Sequence, residues 1–258
     1  MISFSAQTQT SIEFAADLIR QSKRAVALTG AGLSTPSGIP DFRSEGTGLW
    51  SHDEPMEVAS LHTFRTAPEK FFAWFRPLAG QIYNAQPNAA HLALAALEKA
   101  GKLVSIITQN IDMLHQKAGS VAVVETHGSI RTLSCTQCYH KVNADQCVTN
   151  FVATGLMPSC PKCGSTLKPD VILFGEQLLQ SAWSDAQQRA RQCDLMVVIG
   201  SSLEVLPVAG LPMQALDRGA HLIIANNSPT YLNVRADAVI LEDVAVVIPA
   251  IVERVLNG

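Results

Sequence analysis

The sequence predicts an α/β fold in which a doubly wound parallel sheet is interrupted by one small inserted module. Three observations carry that prediction. Short, β-branched apolar runs alternate with amphipathic helical stretches, those runs are apolar at consecutive positions, and one segment, 133–167, breaks the rhythm with two cysteine pairs. Continuous apolarity marks strands buried on both faces, as in a parallel sheet covered by helices. With 258 residues, 47% of them hydrophobic and 16% charged, the chain can build one large core with an insertion.

The strand candidates, in order, are Ala25 to Thr29, Val104 to Thr108, Leu195 to Ile199, His221 to Ala225 and Ala238 to Leu241. A further run, Val121 to Val124, precedes Thr126-His127-Gly128 and predicts a strand that delivers His127 to its C-terminal edge. Between the strands, Asn88 to Lys99 (NAAHLALAALEK) reads as a helix capped by Asn88 and ended by Gly101. Strands alternating with helices argue for parallel pairing. The segment 44–86, with Phe64, Phe71, Phe72, Trp74 and Phe75, predicts helices packed beside the sheet. The segment from Leu133 to Leu167 shows little apolar periodicity and is not expected to share that core. The expected division is therefore 1–132 with 168–258 as the main unit, and 133–167 as the module.

A net charge of −3 and a pI near 6.1 give no basic face for a nucleic-acid backbone. A basic peptide is the easier partner. The N-terminus lacks a charged segment followed by an apolar run, and no apolar run is long enough to span a bilayer. No membrane association is expected. Four of the six cysteines form Cys-x-x-Cys pairs, a spacing that in a cytosolic chain favours metal over disulfides, so the expected location is the cytoplasm.

The first strand runs into Gly30-Ala31-Gly32-Leu33-Ser34-Thr35, where small residues let backbone N–H groups approach a phosphate. Gly30, Gly32 and Gly38 do not keep the G-x-G-x-x-G spacing, so this loop alone is equally a tight strand-to-helix turn. The longer stretch Thr29 to Ser44, TGAGLSTPSGIPDFRS, closely resembles the signature of sirtuins. Thr108-Gln109-Asn110-Ile111-Asp112 with Leu114-His115, Thr126-His127-Gly128, the cysteine pairs, Phe174-Gly175-Glu176 and Gly200-Ser201-Ser202 follow in that family's order, from about Ala25 to Val244.

The resemblance implies a Rossmann-like NAD-binding domain, a small zinc-binding domain and an acyl-lysine peptide in the cleft between them. It implies that Gly30, Ala31, Gly32, Thr35, Phe42 and Arg43 contact NAD, with Asp41 fixing the loop. Gln109, Asn110, Ile111 and Asp112 would line the nicotinamide and ribose end. Gly200 and Ser201 would meet the phosphate or ribose region, Asn226 the adenosine ribose and Val244 the adenine. Ser201 stands where the family often has Thr, which keeps the hydroxyl. Ile172, Phe174, Gly175 and Glu176 would hold the peptide. Sirtuins that favour acidic acyl groups carry a Tyr-x-x-Arg pair, whereas here Ala73 stands three residues before Arg76, so an uncharged acyl group such as acetyl is expected.

Of the seven histidines, His127 matches the family's catalytic base, and an imidazole titrates near neutral pH as a general base must. His115 reads as structural or cleft-lining, and His91, on an apolar helix face, as packing. Cys135, Cys138, Cys160 and Cys163 (CTQC and CPKC) offer four thiolates for one tetrahedral structural zinc with no open position. Cys147 and Cys193 are expected to be unpaired thiols.

The implied reaction is acyl transfer. The acyl oxygen attacks the ribose carbon bearing nicotinamide and expels nicotinamide, leaving an alkylimidate; His127, as base, lets a ribose hydroxyl attack the imidate carbon, and water releases free lysine with acyl-ADP-ribose. Asn110 and Asp112 are implied to share in the catalysis. A dehydrogenase is disfavoured because the loop has the wrong glycine spacing and no acidic residue obviously ends a second strand. The competing readings are a mono-ADP-ribosyltransferase using the same NAD pocket and a zinc-ribbon binding module without catalysis.

Overall fold

The computed structural model describes residues 4–41, 48–49 and 54–258. Among the described residues the strands are β1 (Ala25–Thr29), β2 (Ser105–Thr108), β3 (Val123–Glu125), β4 (Gly128–Cys135), β5 (Lys141–Asn143), β6 (Leu167–Val171), β7 (Leu195–Ile199), β8 (His221–Asn226) and β9 (Ala238–Leu241). Six of them form a parallel sheet in the order β3-β2-β1-β7-β8-β9. The chain winds outward from β1 in one direction, then returns to β7 and winds outward in the other. The order therefore reverses between β1 and β7, and the crevice beyond the carboxyl ends of that pair is where open α/β sheets bind ligands.

Every residue of β1 and of β7 is buried. Alternate side chains serve opposite faces. Ala25 and Ala27 join a core with helices α1 (Ala6–Gln21), α5 (Ala89–Lys99) and α10 (Val244–Asn257), while Val26 and Leu28 join a second with α8 (Gln180–Gln192) and α9 (Leu211–Leu216). Asn88 caps α5 by accepting from the N–H groups of Ala90 and His91, and its own amide donates to Leu33 O at 2.8 Å and to Ser37 Oγ at 3.1 Å. One cap thereby anchors the loop after β1.

The helical segment beside the sheet holds α2 (Pro55–Val58), α3 (Leu61–Thr66) and α4 (Pro68–Asn84), the last two joined by a third core rich in phenylalanine. Strands β4, β5 and β6 make a separate antiparallel sheet in the order β5-β4-β6. That sheet runs past both ends of the anticipated 133–167 segment, from Gly128 to Val171. The segment is also less separate than expected. Its helix α7 (Val148–Thr154) places Phe151 against Phe72 with ring centroids 5.3 Å apart, inside the third core. One buried aromatic at helical spacing was hidden in a polar stretch.

Candidate functional site

Two tight turns meet at the switch point. Gly32 N–H donates to Gly200 O at 2.9 Å and Gly30 N–H to Ile199 O at 3.1 Å. A Cβ on Gly30 would stand 2.8 Å from Gly200 O and one on Gly32 2.9 Å from the same oxygen, while Gly200, at φ +61°, would press a Cβ to 2.3 Å from Leu33 N. Only glycine allows this backbone-to-backbone approach. Above the turns opens a cavity of about 1030 Å³, large for a small-molecule site.

Of the residues expected to contact a dinucleotide, Gly30, Ala31, Gly32, Thr35, Asp41, Gln109, Asn110, Ile111, His127, Gly200, Ser201, Asn226 and Val244 all line that cavity. Asp112 does not. It sits behind the wall, 5% exposed, accepting from Ser34 Oγ at 2.6 Å and from Leu114 N–H at 2.9 Å. Burial pushes its carboxyl upward, against the pull of those two hydrogen bonds. Phe42 and Arg43 lie outside the described residues.

Ser34 is the link that sequence reasoning missed. It donates to Asp112 and accepts from Asn110 Nδ2 at 3.1 Å, while the same amide donates to Gly30 O at 3.0 Å. A hydroxyl one residue past Leu33 in the glycine loop was the available signal. Gln109 Nε2 donates to Ser201 Oγ at 2.9 Å, joining the ends of β2 and β7 across β1.

His127 follows β3 and immediately precedes β4. Its carbonyl accepts from Ile172 N–H at 2.8 Å, and the next residue, Gly128 at φ +74°, lies so close to β6 that a Cβ would stand 2.1 Å from Asp170 O. The imidazole Nδ1 stands 3.1 Å from Gln109 O. A carbonyl only accepts, so Nδ1 carries the hydrogen and Nε2 keeps its lone pair. Burial lowers the imidazole below its ordinary value, opposed by the Gln109 hydrogen bond. It is therefore neutral, and competent as a base, at neutral pH.

Two other imidazoles are sealed beneath the site. Burial lowers His91 to about 4, and burial with the neighbouring His91 lowers His115 to about 3. Unfolded, both return to 6.5. Between these values the unfolded chain binds a proton at each ring and the folded chain does not. The stability they confer is thus complete above about pH 6.5 and drains as pH falls toward 4 and then 3. Each unit of depression is worth about 1.4 kcal/mol. Melting temperature is expected to be flat above neutrality and to fall steadily on acidification from pH 6.5; an unchanged melting temperature down to pH 4 would contradict the burial of these rings as neutral groups.

Opposite the glycine turns, Ile172, Phe174, Gly175 and Glu176 form the other wall, with Phe71, Trp74, Phe75 and Leu78 from α4. Phe174 N–H donates to Ala59 O and its carbonyl accepts from Leu61 N–H, fixing this wall to the α2–α3 junction. Glu176 turns back to accept from Leu173 N–H and to pair with Lys168 at 2.9 Å. No lysine or arginine lines the cavity among the described residues. Arg76, on α4, instead donates to Val152 O and Ala153 O at 2.9 Å each, capping α7.

The sulfur atoms of Cys135, Cys138, Cys160 and Cys163 all lie within 4.8 Å of one another. Separations of 3.4 Å (Cys135–Cys163) and 3.6 Å (Cys138–Cys160) approach the about 3.8 Å edge of a tetrahedron with about 2.3 Å zinc–sulfur bonds. Backbone N–H groups of Gln137 and Cys138 point at Cys135 Sγ, and that of Lys162 at Cys160 Sγ. Four convergent sulfurs fit a zinc ion, with no room for a fifth ligand. Cys147 and Cys193 stand apart, their sulfurs against the carbonyls of Ala144 and Ala190.

The Sir2 family model matches residues 30–207. The NAD-dependent protein deacylase 2 of Archaeoglobus fulgidus is 44% identical over 95% of this chain and 96% of its own. Among solved structures, a Sir2 enzyme studied for its mechanism and regulation superposes with a TM-score of 0.90 at 43% identity, covering 96% of this chain and 99% of its own. A Sir2 variant holding a deacetylated p53 peptide and 3'-O-acetyl ADP-ribose superposes at 0.87 and 35% identity, covering 95% and 97%. Likeness of this degree along almost the whole of both chains admits one assignment: the protein belongs to the Sir2 family.

Proposed function

We propose that the protein removes acyl groups from protein lysine side chains at the expense of NAD, releasing nicotinamide, free lysine and O-acyl-ADP-ribose. The observation that carries this reading is His127, its Nε2 lone pair free for a proton in a cavity with a glycine cradle on one wall and an apolar wall on the other. NAD supplies the electrophilic ribose carbon and the nicotinamide leaving group. Gly30, Ala31, Gly32, Thr35, Asp41, Gly200, Ser201, Asn226 and Val244 hold it, and Phe42 and Arg43 are assigned to contact it as well. Gln109, Asn110 and Ile111 surround the reacting end, and Asp112 acts through Ser34 to orient the Asn110 amide. His127 Nε2 takes a ribose hydroxyl proton, while its Nδ1–H stays on Gln109 O. Ile172, Phe174, Gly175 and Glu176 receive the peptide, and the zinc site ties the cysteine loops together. The main unit is taken as 1–132 with 168–258, including the helical insertion at about 44–86, and the module as 133–167.

Nicotinamide release assayed with and without an acetylated peptide separates the possibilities. Peptide-dependent release is expected; release accompanied by ADP-ribosylation of protein would instead identify a transferase. No helix among the described residues is long and apolar enough to cross a membrane. Paired Cys-x-x-Cys thiols held as metal ligands support a cytoplasmic location.

The wall beside His127 selects uncharged acyl groups. With Arg76 spent on α7, a succinyl carboxylate would meet no lysine or arginine among the described residues lining the cavity, at a cost in desolvation. Desuccinylation is expected to be slower than deacetylation of the same peptide by on the order of 10²-fold in kcat/KM. Equal or faster desuccinylation would refute this.

A further inference from the structure

Among the described residues, His91 Nε2 and His115 Nδ1 are buried polar atoms without a hydrogen-bond partner. Their rings, on α5 and on α6 (Leu114–Lys117), are 0% and 1% exposed and meet edge to face with centroids 5.0 Å apart. The remaining nitrogen of each ring fixes its tautomer. Asn88 N–H donates to His91 Nδ1 at 3.4 Å, so the His91 hydrogen is on Nε2. Thr29 spends its one hydroxyl hydrogen on Thr108 Oγ1 at 2.9 Å, so at its 2.9 Å contact with His115 it accepts, and the His115 hydrogen is also on Nε2. The two unpartnered atoms are therefore one donor, His91 Nε2–H, and one acceptor, His115 Nδ1.

We propose that a single buried water bridges His91 Nε2 and His115 Nδ1, and that the bridged pair positions Asn110 for catalysis. A buried water needs at least two polar partners, and a donor and an acceptor on adjacent sealed rings supply them. The bridge completes a chain running from the α5 cap to the site. Asn88 N–H donates to His91, His91 through the water to His115, His115 to Thr29 and Thr29 to Thr108. Thr108 Oγ1 then accepts from Asn110 N–H at 3.0 Å, so the chain ends on the backbone of the residue whose amide joins Gly30 and Ser34. Its alignment orients the Thr108 lone pair toward Asn110. His91 and His115 are positioning residues here, acting through Thr29 and Thr108, and that role rests on the deacylase reading of Asn110.

The bridge itself is tested on the wild-type protein, independently of activity. Histidine ¹⁵N NMR is expected to show both rings neutral with hydrogen on Nε2, and a high-resolution crystal structure to show one ordered water in reach of both nitrogens. An Nδ1–H tautomer on either ring, or no water between them, overturns it. The positioning role is tested by kinetics. His91→Leu is expected to lower kcat on the order of 10- to 100-fold with KM for NAD and peptide little changed, and His91→Gln, which restores a donor near Nε2, to recover most of it. Adding His91→Leu to Thr29→Val should cost no more than about twofold further, since His91 acts only through Thr29, and a larger added loss overturns the role. A His91→Leu variant that melts earlier but keeps its kcat per folded molecule shows packing alone and overturns the role. A wild-type protein that lacks deacylation but shows the tautomers and the water would defeat the deacylase reading and the role together while sustaining the bridge.

Discussion

His127→Ala is expected to depress deacylation of an acetyl-lysine peptide by roughly 10²- to 10⁴-fold, the usual contribution of a general base. The residue lies just past β3 of the large sheet and lines the cavity, and its Nδ1–H is held by Gln109 O. Removing the ring leaves the backbone bond from Ile172 N–H to residue 127 in place, because that bond uses the carbonyl. The glycine turns and the Gln109–Ser201 link also survive, so NAD and peptide binding should change far less than turnover. Slow nicotinamide exchange can persist, because nicotinamide departs before the base acts. A folded variant within about threefold of wild type, well below the contribution of a base, would show that another group does this work. In the wild type, the depressed imidazole places the acid limb of kcat/KM below the ordinary histidine value, since the base is lost only when pH falls through its own pKa.

Metal removal is expected to have the other large effect, on structure first and activity second. The core of the small sheet consists of Leu133, Cys135, Val142, Ala144, Cys160 and Leu167, with Cys147 packed against it. Two of its six members are themselves ligands. Structural zinc sites contribute on the order of 10–16 kcal/mol of binding free energy at neutral pH, far more than so few small apolar side chains can supply at about 25 cal/mol per Å². Cys135→Ala, or strong chelation, should therefore unfold the cysteine loops while the six-stranded sheet persists. Loss of hydrogen-exchange protection confined to 133–147 and 156–168, with α7 retained through Phe151, is the expected signature. Elemental analysis showing no stoichiometric zinc in native protein would remove the premise.

The parallel sheet was legible because strands buried on both faces leave continuous apolar runs, and β1 and β7 fall where those runs lie. The extent of the small sheet was not. Pairing of β4 with β6 at Gly128 and Val171 is a non-local fact with no local signature. The helix α7 was hidden for a similar reason: its buried residues are Val148 and Phe151, and Phe151 is covered by a distant part of the chain that includes Phe72. At the site, the glycine turns and His127 announced themselves through family likeness, whereas the placement of Asp112 behind Ser34 depends on how β2's loop folds under the glycine loop. A carboxylate in a motif looks the same from sequence whether it lines a cavity or supports the residue that does.

One feature of the chain path binds the two sheets energetically. His127 occupies the connection between β3 of the large sheet and β4 of the small one, and its carbonyl is held by the residue that follows β6. The imidazole is thus seated partly by the small sheet, whose strand β4 ends on Cys135 of the four-cysteine cluster. Thermodynamic linkage makes that dependence mutual: whatever free energy the metal lends to the placement of the ring, an occupant that selects the same placement returns to the metal as tighter retention. An ion at the cysteines that takes no part in the chemistry would, by such coupling, act on it from a distance.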